Sequence, residues 1–209
     1  MNLIGQASVI DGDTLEIHGT RIRLWGVDAP ESSQLCRGDD SLQYRCGAKA
    51  ANDLDAFIAG RPVNCLPISL DRYGRTVATC SVGRADLGDW LVRNGLALDW
   101  PQYSKRKYDD AQGDAEQAGR GMWAGTYVEP WLFGVCVRAS GSPSNCSDGA
   151  NAILDSCCDP DGFLLHRSRA SLRWPQCFSF RDGSNTRSTC RFRASSRRSE
   201  QTWWVRRGR

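Results

Sequence analysis

The sequence predicts a mixed α+β domain of five strands and three helices, followed by a C-terminal tail that we expect to be disordered. Three observations predict this. Short runs of alternating apolar and polar residues, bounded by turn residues, recur through the first 133 residues. Three other segments carry apolar residues at helical spacing. After residue 133 the chain changes to Arg, Ser, Gly, Pro and Cys with little apolar periodicity, which is typical of disordered segments.

The first three predicted strands form a meander. Asp11-Gly12-Asp13 and His18-Gly19 are turn signals between short apolar runs. The strands that these turns separate are residues 7–10, 14–17 and 20–24. A chain that reverses at two tight turns places neighbouring strands side by side, so we expect an antiparallel arrangement.

The third strand separates charged from apolar side chains. Arg21 and Arg23 occupy alternate positions, and Ile22 and Leu24 lie between and beyond them. Because successive side chains of a strand point to opposite faces, the two arginines share one face and the aliphatic pair faces the core.

The remaining elements alternate between helix and strand. Helices are predicted over residues 47–59, 87–94 and 104–119, the last beginning with a serine typical of a helix cap. Strands are predicted over 61–66 and 75–82, joined through a turn. The polar segment between the meander and the first helix is about 15 residues long, which indicates a functional loop.

Ten cysteines in 209 residues favour disulfide bonds and an oxidising compartment. Three pairs are close in sequence: Cys36 with Cys46, Cys65 with Cys80, and Cys136 with Cys146. The pairing of the last four, Cys157, Cys158, Cys177 and Cys190, is left open. We therefore expect a periplasmic or secreted protein. No signal peptide is visible, so either it has been removed or the start of the sequence is misplaced.

Charge is divided unevenly along the chain. Residues 1–133 contain 14 basic and 18 acidic side chains, whereas residues 134–209 contain 13 arginines, no lysine and 6 acidic side chains. A net acidic domain does not bind nucleic acid through its overall field, so phosphate binding would need a local arginine cluster. No apolar run reaches the roughly 18 residues of a membrane span, and no membrane association is expected.

Three segments are therefore expected: a domain over 1–133, a small cysteine-stapled extension over 134–153, and an Arg/Ser-rich tail over 154–209. Two interpretations of the tail are possible from its composition. It is either a basic arm that adds salt-dependent affinity for nucleic acid or an unselected extension, and its composition favours the extension.

Five charged residues together fit phosphodiester hydrolysis. Asp13 and Asp28 are hard oxygen ligands, Glu31 is a nearby carboxylate, and Arg23 and Arg75 can bind phosphate. Each of them alone is most simply a solvated surface charge. Their meaning depends on whether the fold brings them together.

Several sequence blocks resemble the staphylococcal nuclease (thermonuclease) family in order and near-matching spacing. They are VIDGDT at 9–14, RLWGVDAPE at 23–31, DRYGR at 71–75, LVRNGLA at 91–97 and GRGMW at 119–123. The resemblance covers about residues 6–131. It implies a five-stranded OB-type barrel with three helices and a surface pocket for one nucleotide unit.

The resemblance also implies a calcium site and a catalytic set. Asp13 and Asp28 match the calcium carboxylates. Ala29, the residue after Asp28, would supply its backbone carbonyl to the metal. The best-known member of the family has a hydroxyl residue at that position. Asp11 and Thr14 match groups that order waters around the metal. Magnesium or manganese would suit the same oxygen ligands.

By the same resemblance, Glu31 is the general base, and Arg23 and Arg75 stabilise the transition state of P–O5′ cleavage, which leaves 3′-phosphates. Arg72 and Tyr73 match substrate contacts. Tyr103 matches an aromatic beside the base, and Trp100 is interpreted as packing. The implied substrate is DNA or RNA, single-stranded by preference, cut by a monomer.

Two rival interpretations concern binding without catalysis. A nuclease-like module that only binds single-stranded nucleic acid should lack at least one of the five residues, yet all five are present. A small OB-fold protein for storing single strands should carry a basic barrel, and the first 133 residues are net acidic.

Overall fold

The computed structural model describes residues 2–140 and 142–147, together with the backbone of two strands between 173 and 193. The chain divides into two compact units, Met1–Ala152 and Ile153–Arg209. The first unit contains the candidate site.

Seven strands of the first unit form one main sheet, and four further strands form two small two-stranded ladders. The strands are β1 (Leu3–Gly5), β2 (Ser8–Asp11), β3 (Thr14–Ile17), β4 (Thr20–Leu24), β5 (Val27–Asp28), β6 (Cys36–Arg37), β7 (Gln43–Tyr44), β8 (Val63–Leu70), β9 (Thr76–Val82), β10 (Ala85–Asp86) and β11 (Leu98–Asp99). The helices are α1 (Cys46–Ile58), α2 (Leu87–Arg93), α3 (Pro101–Ser104), α4 (Asp109–Gln117), α5 (Pro130–Ser140) and α6 (Pro143–Ser147).

The main sheet has seven strands in the order β1-β8-β9-β4-β3-β2, with β10 paired to β9. The predicted meander is β2, β3 and β4, and β8 pairs antiparallel with β9. The β4–β9 pair is parallel, with Arg23 opposite Val77. The mixed α+β class is confirmed. The five predicted strands are β2, β3, β4, β8 and β9, whereas β1 and β10 are too short for an alternating pattern to signal them.

The third predicted helix is wrong as one continuous element. The structure has α3 and α4 in its place, separated at Lys105 and Arg106, whose φ angles are 55° and 68°. Residues in this left-handed region cannot continue a right-handed helix. Ser104 is therefore the last residue of α3 rather than the cap of a long helix, and its Oγ accepts a hydrogen bond from the Arg106 N–H at 2.9 Å.

The core forms where the meander packs on α1. Ile22 and Leu24 are buried while Arg21 and Arg23 on the other face are not, which confirms the predicted alternation of β4. Other large contributors to this core are Leu15, Ile17, Leu54, Ile58, Leu87 and Leu91. Burial of these aliphatic side chains provides the main driving force for the fold.

All three disulfides expected from sequence proximity are present. Cys65 and Cys80 stand directly opposite each other on β8 and β9. The Cys36–Cys46 bond joins the start of β6 to the start of α1, and the Cys136–Cys146 bond joins α5 to α6. These bonds are consistent with an extracellular or periplasmic location.

Helix α5 runs across the expected domain boundary at residue 133, and the Cys136–Cys146 bond lies in the same compact unit as the preceding sheet. In the tail, the structure describes β12 (Arg173–Asp182) and β13 (Asn185–Arg193), an antiparallel pair whose register places Cys177 opposite Cys190. Most of the tail expected to be disordered lies outside the described residues, as do Cys157 and Cys158.

Within the described part of the chain, no helix has the length and apolar character needed to cross a membrane.

Replacing both Cys65 and Cys80 with Ala should lower the free energy of unfolding by about 2–4 kcal/mol. The bond joins residues that are 15 positions apart in sequence, and it therefore restricts the conformations of the unfolded chain. Urea unfolding under non-reducing conditions measures this. Leu66→Ala, at a 55 % exposed position on the same strand, is the matched control and should change stability by less than about 0.5 kcal/mol. Equal stability of the two variants would contradict the role given to the bond.

Candidate active site

The turn between β2 and β3 places two carboxylates at one end of the meander. Asp11 ends β2, and its Oδ1 accepts a hydrogen bond from the Gly12 N–H at 2.8 Å. A Cβ on Gly12 would lie 2.7 Å from the Ala29 Cβ and 3.0 Å from the Ala50 Cβ. Only glycine therefore lets this turn approach both α1 and the segment after β5 so closely.

Arg23 lies between two buried carboxylates. Its Nη2 is 2.8 Å from the Asp13 Oδ2 and also donates to the Asp28 Oδ1. Asp13 and Asp28 are each only 6 % exposed. The β3–β4 register accounts for part of this arrangement, since Thr14 is opposite Arg23. The ion pairs are thus partly withdrawn from water, where charge interactions are stronger than at the surface.

Backbone pairing holds each carboxylate in place. The Leu24 N–H donates to the Asp13 carbonyl oxygen at 2.8 Å, and the Thr14 Oγ1 donates to the Asp13 Oδ1 at 2.9 Å. Asp28 belongs to β5, where it is opposite Leu98 of β11. Thr14 is 5 % exposed, and its hydroxyl contacts Asp13 rather than solvent.

The site has more negative charge than its single guanidinium can offset. Burial raises the pKa of Asp28 to about 8, with a further contribution from Asp13, against the opposing effect of Arg23. Burial and the charge of Asp13 likewise raise the pKa of Asp11, while the Gly12 N–H acts in the opposite direction. The pKa of Arg23 is itself raised by its carboxylate neighbours, despite burial.

Glu31 lies at the rim of this cluster. Although its side chain reaches the surface, partial shielding from water and the charges of Asp11 and Asp13 raise its pKa to about 7. A carboxylate that titrates near neutrality is suited to accept a proton from water. Ser32 joins the same rim, since its Oγ donates to the Asp11 Oδ1 at 3.1 Å.

The donor set fits a hard divalent cation. Asp13 and Asp28 are carboxylates that share one guanidinium, that of Arg23, and Ala29 directly follows Asp28 in the sequence. Oxygen donors of this kind are those that Ca²⁺ prefers. Among the described residues, no group of three or more His, Cys, Asp or Glu side chains is arranged as a metal site. A cation at Asp13 and Asp28 would therefore need further oxygen ligands besides the carboxylates, such as a backbone carbonyl or water.

Arg75 belongs to a second cluster, next to the start of β9. Its Nε donates to the Asp71 Oδ2 at 2.7 Å, and its backbone N–H donates to the Asp71 Oδ1 at 2.9 Å. Desolvation acts to raise the pKa of Asp71, but the hydrogen bonds from Arg75 and from the Tyr73 N–H have a larger effect. The pKa of Asp71 is therefore lower than that of a free aspartate. In the structure the Arg75 side chain is therefore held by Asp71 rather than by Asp13 or Asp28.

The predicted substrate contacts Arg72 and Tyr73 form one exposed surface with Arg75. The guanidinium carbons of Arg72 and Arg75 lie 4.9 and 5.5 Å from the centre of the Tyr73 ring, which is 65 % exposed. The parallel β4–β9 pairing, with Ile22 opposite Thr76, connects this surface to the strand that carries Arg23.

Tyr103 is part of an aromatic group that the sequence interpretation missed. Its ring meets the Trp100 ring edge-on at 4.6 Å, and Trp100 stacks with Trp131 at 6.2 Å. The Arg23 guanidinium carbon lies 5.7 Å from the Trp100 centroid. Trp100 thus adjoins the charged cluster, in addition to the packing role predicted for it. The only available sequence signal was its position three residues before Tyr103.

Comparisons with known proteins identify the family to which the chain belongs. The family described as "Staphylococcal nuclease homologue" matches residues 21–125, about half of the chain. The chain is 47 % identical over 123 residues to "Succinoglycan biosynthesis protein ExoI" of Rhizobium meliloti (strain 1021), covering 58 % of the chain and 64 % of that protein. It is 30 % identical over 132 residues to an "Uncharacterized endonuclease" of Escherichia coli O157:H7, covering 60 % of the chain and 80 % of that protein.

A third relative is "Probable staphylococcal-like nuclease CAN3" of Oryza sativa subsp. japonica, with 31 % identity over 113 residues, 53 % of the chain and 27 % of that protein. The chain thus spans from about a quarter to four fifths of the length of these relatives. Asp11, Asp13 and Thr14 precede the matched range, so their membership of the site rests on the contacts described above. The matched range and the endonuclease relatives show that the chain belongs to the staphylococcal nuclease homologue family, whose domain is an OB-fold and whose membership supports a nuclease function.

Proposed function

We propose that the protein is a calcium-dependent nuclease that hydrolyses phosphodiester bonds of DNA or RNA. The observation that carries this proposal is the position of Arg23 between Asp13 and Asp28, with Glu31 at the rim of the same cluster. This combination supplies a cation for phosphate, oxygen ligands for a metal and a base for water within one site.

Asp13, Asp28 and the Ala29 carbonyl would hold the calcium ion, with Asp11 and Thr14 supporting them. When bound, calcium supplies positive charge to the phosphoryl oxygens during attack. The hydrogen bond from the Thr14 hydroxyl fixes the Asp13 carboxylate, and Asp11 fixes the turn on which Asp13 lies. These contacts orient the ligands before substrate arrives.

Glu31 accepts a proton from a water molecule, and the water oxygen forms a bond to phosphorus. The P–O5′ bond breaks, the 5′ oxygen takes up a proton from solvent, and the product carries a 3′-phosphate. Arg23 stabilises the negative charge that develops on the phosphoryl oxygens. Arg75 gives the same stabilisation once phosphate competes with Asp71 for its guanidinium. Arginine remains charged throughout because its pKa lies above about 12.

Substrate recognition is local, because the domain is net acidic. Arg72 and Tyr73 lie on the surface that also carries Arg75. Trp100 presents its ring to Arg23, and Tyr103 packs against Trp100. Stacking on an aromatic ring requires an accessible base, so single-stranded or frayed substrate is favoured without sequence preference. The enzyme acts as a monomer in the periplasm or outside the cell, where its disulfides are stable.

A binding module without catalysis is the alternative function. The aromatic and arginine surfaces alone would suit it. The buried acidic cluster does not, since carboxylates repel phosphate unless a cation is present. The raised pKa of Glu31 also favours catalysis over binding alone.

Glu31→Gln should reduce calcium-dependent cleavage of single-stranded DNA and RNA by about a hundredfold or more, because the amide keeps the size of the side chain but cannot accept the proton. Product analysis should find 3′-phosphates with the unmodified chain, and a chelator should abolish them. Glu16→Gln, which removes an exposed carboxylate paired with Arg21, is the matched control and should stay within about twofold of the unmodified chain. Binding of single strands with no cleavage, unaffected by calcium, would instead identify the non-catalytic module.

Asp28→Asn should reduce the pH dependence of stability in the presence of a chelator. The folded-state pKa of Asp28 is raised to about 8 from 3.8, so the folded state binds more protons than the unfolded state between these values. Stability of the unmodified protein therefore falls as pH rises through this window, and the amide removes the contribution of Asp28. Urea midpoints at pH 5 and pH 8 measure the slope. Calcium should raise the pH 8 midpoint of the unmodified protein only, and an equal slope in both proteins would refute the assignment.

Asp11→Asn should move the acidic limb of the pH–activity profile to lower pH. The charge of Asp11 helps to raise the pKa of Glu31, and Glu31 must be ionised to act as a base, so removing that charge lets the base ionise at lower pH. The amide oxygen can still accept the Gly12 N–H. The measurement is kcat/KM against pH at saturating calcium, with Glu16→Gln as the control that should not shift. A shift to higher pH would contradict the assignment of Glu31 as the base.

A further inference from the structure

Helices α5 and α6, joined by the Cys136–Cys146 bond, lie beyond the matched range that ends at residue 125. We call them the stapled helix pair. Phe133 and Cys146 are buried in their own small core with Val128. The pair therefore has a packed core of its own. It also makes two contacts with the loop that carries Glu31.

The first contact is made by Ser147 at the end of α6. Its Oγ accepts a hydrogen bond from the Leu35 N–H at 2.9 Å and donates one to the Pro143 carbonyl oxygen at 2.9 Å. Because the hydroxyl is used both as acceptor and as donor, its orientation is fixed. The backbone of the loop is thereby connected to a turn of α6 that is 112 residues away in sequence.

The second contact is made by Gln34, which is fully buried. Its Nε2 donates to the Val128 carbonyl oxygen at 2.6 Å, just before α5 begins. Its own backbone N–H donates to the carbonyl oxygen of Glu31 at 2.7 Å. Gln34 therefore links the stapled helix pair to the main chain of the proposed base. A buried amide with such partners is costly to displace.

Helix α1 also contacts the main chain of Glu31. A Cβ on Gly47 would lie 1.8 Å from the Glu31 carbonyl oxygen and 2.4 Å from its carbonyl carbon, so the helix backbone contacts the loop directly. The Cys36–Cys46 bond closes the same loop. The Glu31 main chain is therefore held by its contact with α1 and by the hydrogen bond from Gln34, whose side chain is bonded to Val128.

We propose that the stapled helix pair positions Glu31 for catalysis, and that Gln34 and Ser147 are positioning residues for it. This inference rests on the proposed function, in which Glu31 accepts the proton of the attacking water. Small displacements of a base from its water lower the rate of the chemical step more than substrate binding. The stapled helix pair would therefore act through two contacts of the loop, those of Gln34 and Ser147, and the rest of the pair would not be needed for the chemical step.

Ser147→Ala in the full chain removes the acceptor for the Leu35 N–H. It should lower kcat about three- to tenfold, as expected for loss of one hydrogen bond, and leave KM within about twofold. Amide hydrogen exchange at Leu35 should become faster by a similar factor. Ser147→Thr keeps the hydroxyl and should restore both values, since a cleft lined by Leu35, Arg37 and Tyr127 lies beside Ser147 and can receive the methyl group.

Ser144→Ala is the matched control, because Ser144 is exposed on the same helix and its hydroxyl contacts only the Ser142 hydroxyl among the hydrogen bonds of the described residues. It should leave kcat and Leu35 exchange unchanged. Unchanged kcat with Ser147→Ala, whether or not thermal stability falls, would overturn the proposal. If the unmodified chain cleaves no nucleic acid, the proposed function fails, whereas unchanged Leu35 exchange in Ser147→Ala overturns the link to the loop independently of activity.

Discussion

Arg23 is half-buried between the buried Asp13 and Asp28, and several elements of the domain must be in place for these three charges to meet. A charge removed from water needs close partners, because an unpaired buried charge is very unfavourable. The partners come from the β2–β3 turn and from β5, so β3, β4 and β5 must all be in place. One guanidinium does not balance the neighbouring carboxylates. Burial, with a further contribution from the charge of Asp13, raises the pKa of Asp28, and a divalent cation bound under the proposed function would oppose both effects.

The same cluster explains why two glycines are needed near it. Gly12 lets the turn lie against Ala29 and Ala50, and Gly47 lets α1 lie against the Glu31 carbonyl. Larger side chains at either position would push the carboxylates apart. Dense packing around a charged site limits the movement of its ligands, and this preorganisation reduces the reorganisation needed during reaction. The stability of the surrounding core and the geometry of the site therefore depend on the same contacts.

Local features of the fold were predictable, whereas long-range contacts were not. The alternation of Arg23 with Ile22 and Leu24 follows from the two-residue period of a strand, and proximity in sequence was enough to pair the six described cysteines of the first unit. The split between α3 and α4 depends on the left-handed conformations of Lys105 and Arg106, residue types that carry no such signal. Gln34 and Ser147 contact partners 94 and 112 residues away, and Trp100 adjoins Arg23 only through the tertiary fold. The carboxylate set was identified through resemblance, and its contacts became evident only in three dimensions.

The pairing of the arginines has a consequence for how an acidic domain receives a polyanion. Arg23 is paired with Asp13 and Asp28, and Arg75 with Asp71, so neither guanidinium is free to attract phosphate over a distance. Under the proposed function, a calcium ion held by Asp13 and Asp28 would offset part of the negative charge of the carboxylates and leave Arg23 able to act on phosphate. The cation would thus reduce the local negative potential that a polyanion meets. Metal and substrate binding are therefore coupled through Arg23, and by linkage each should strengthen the other.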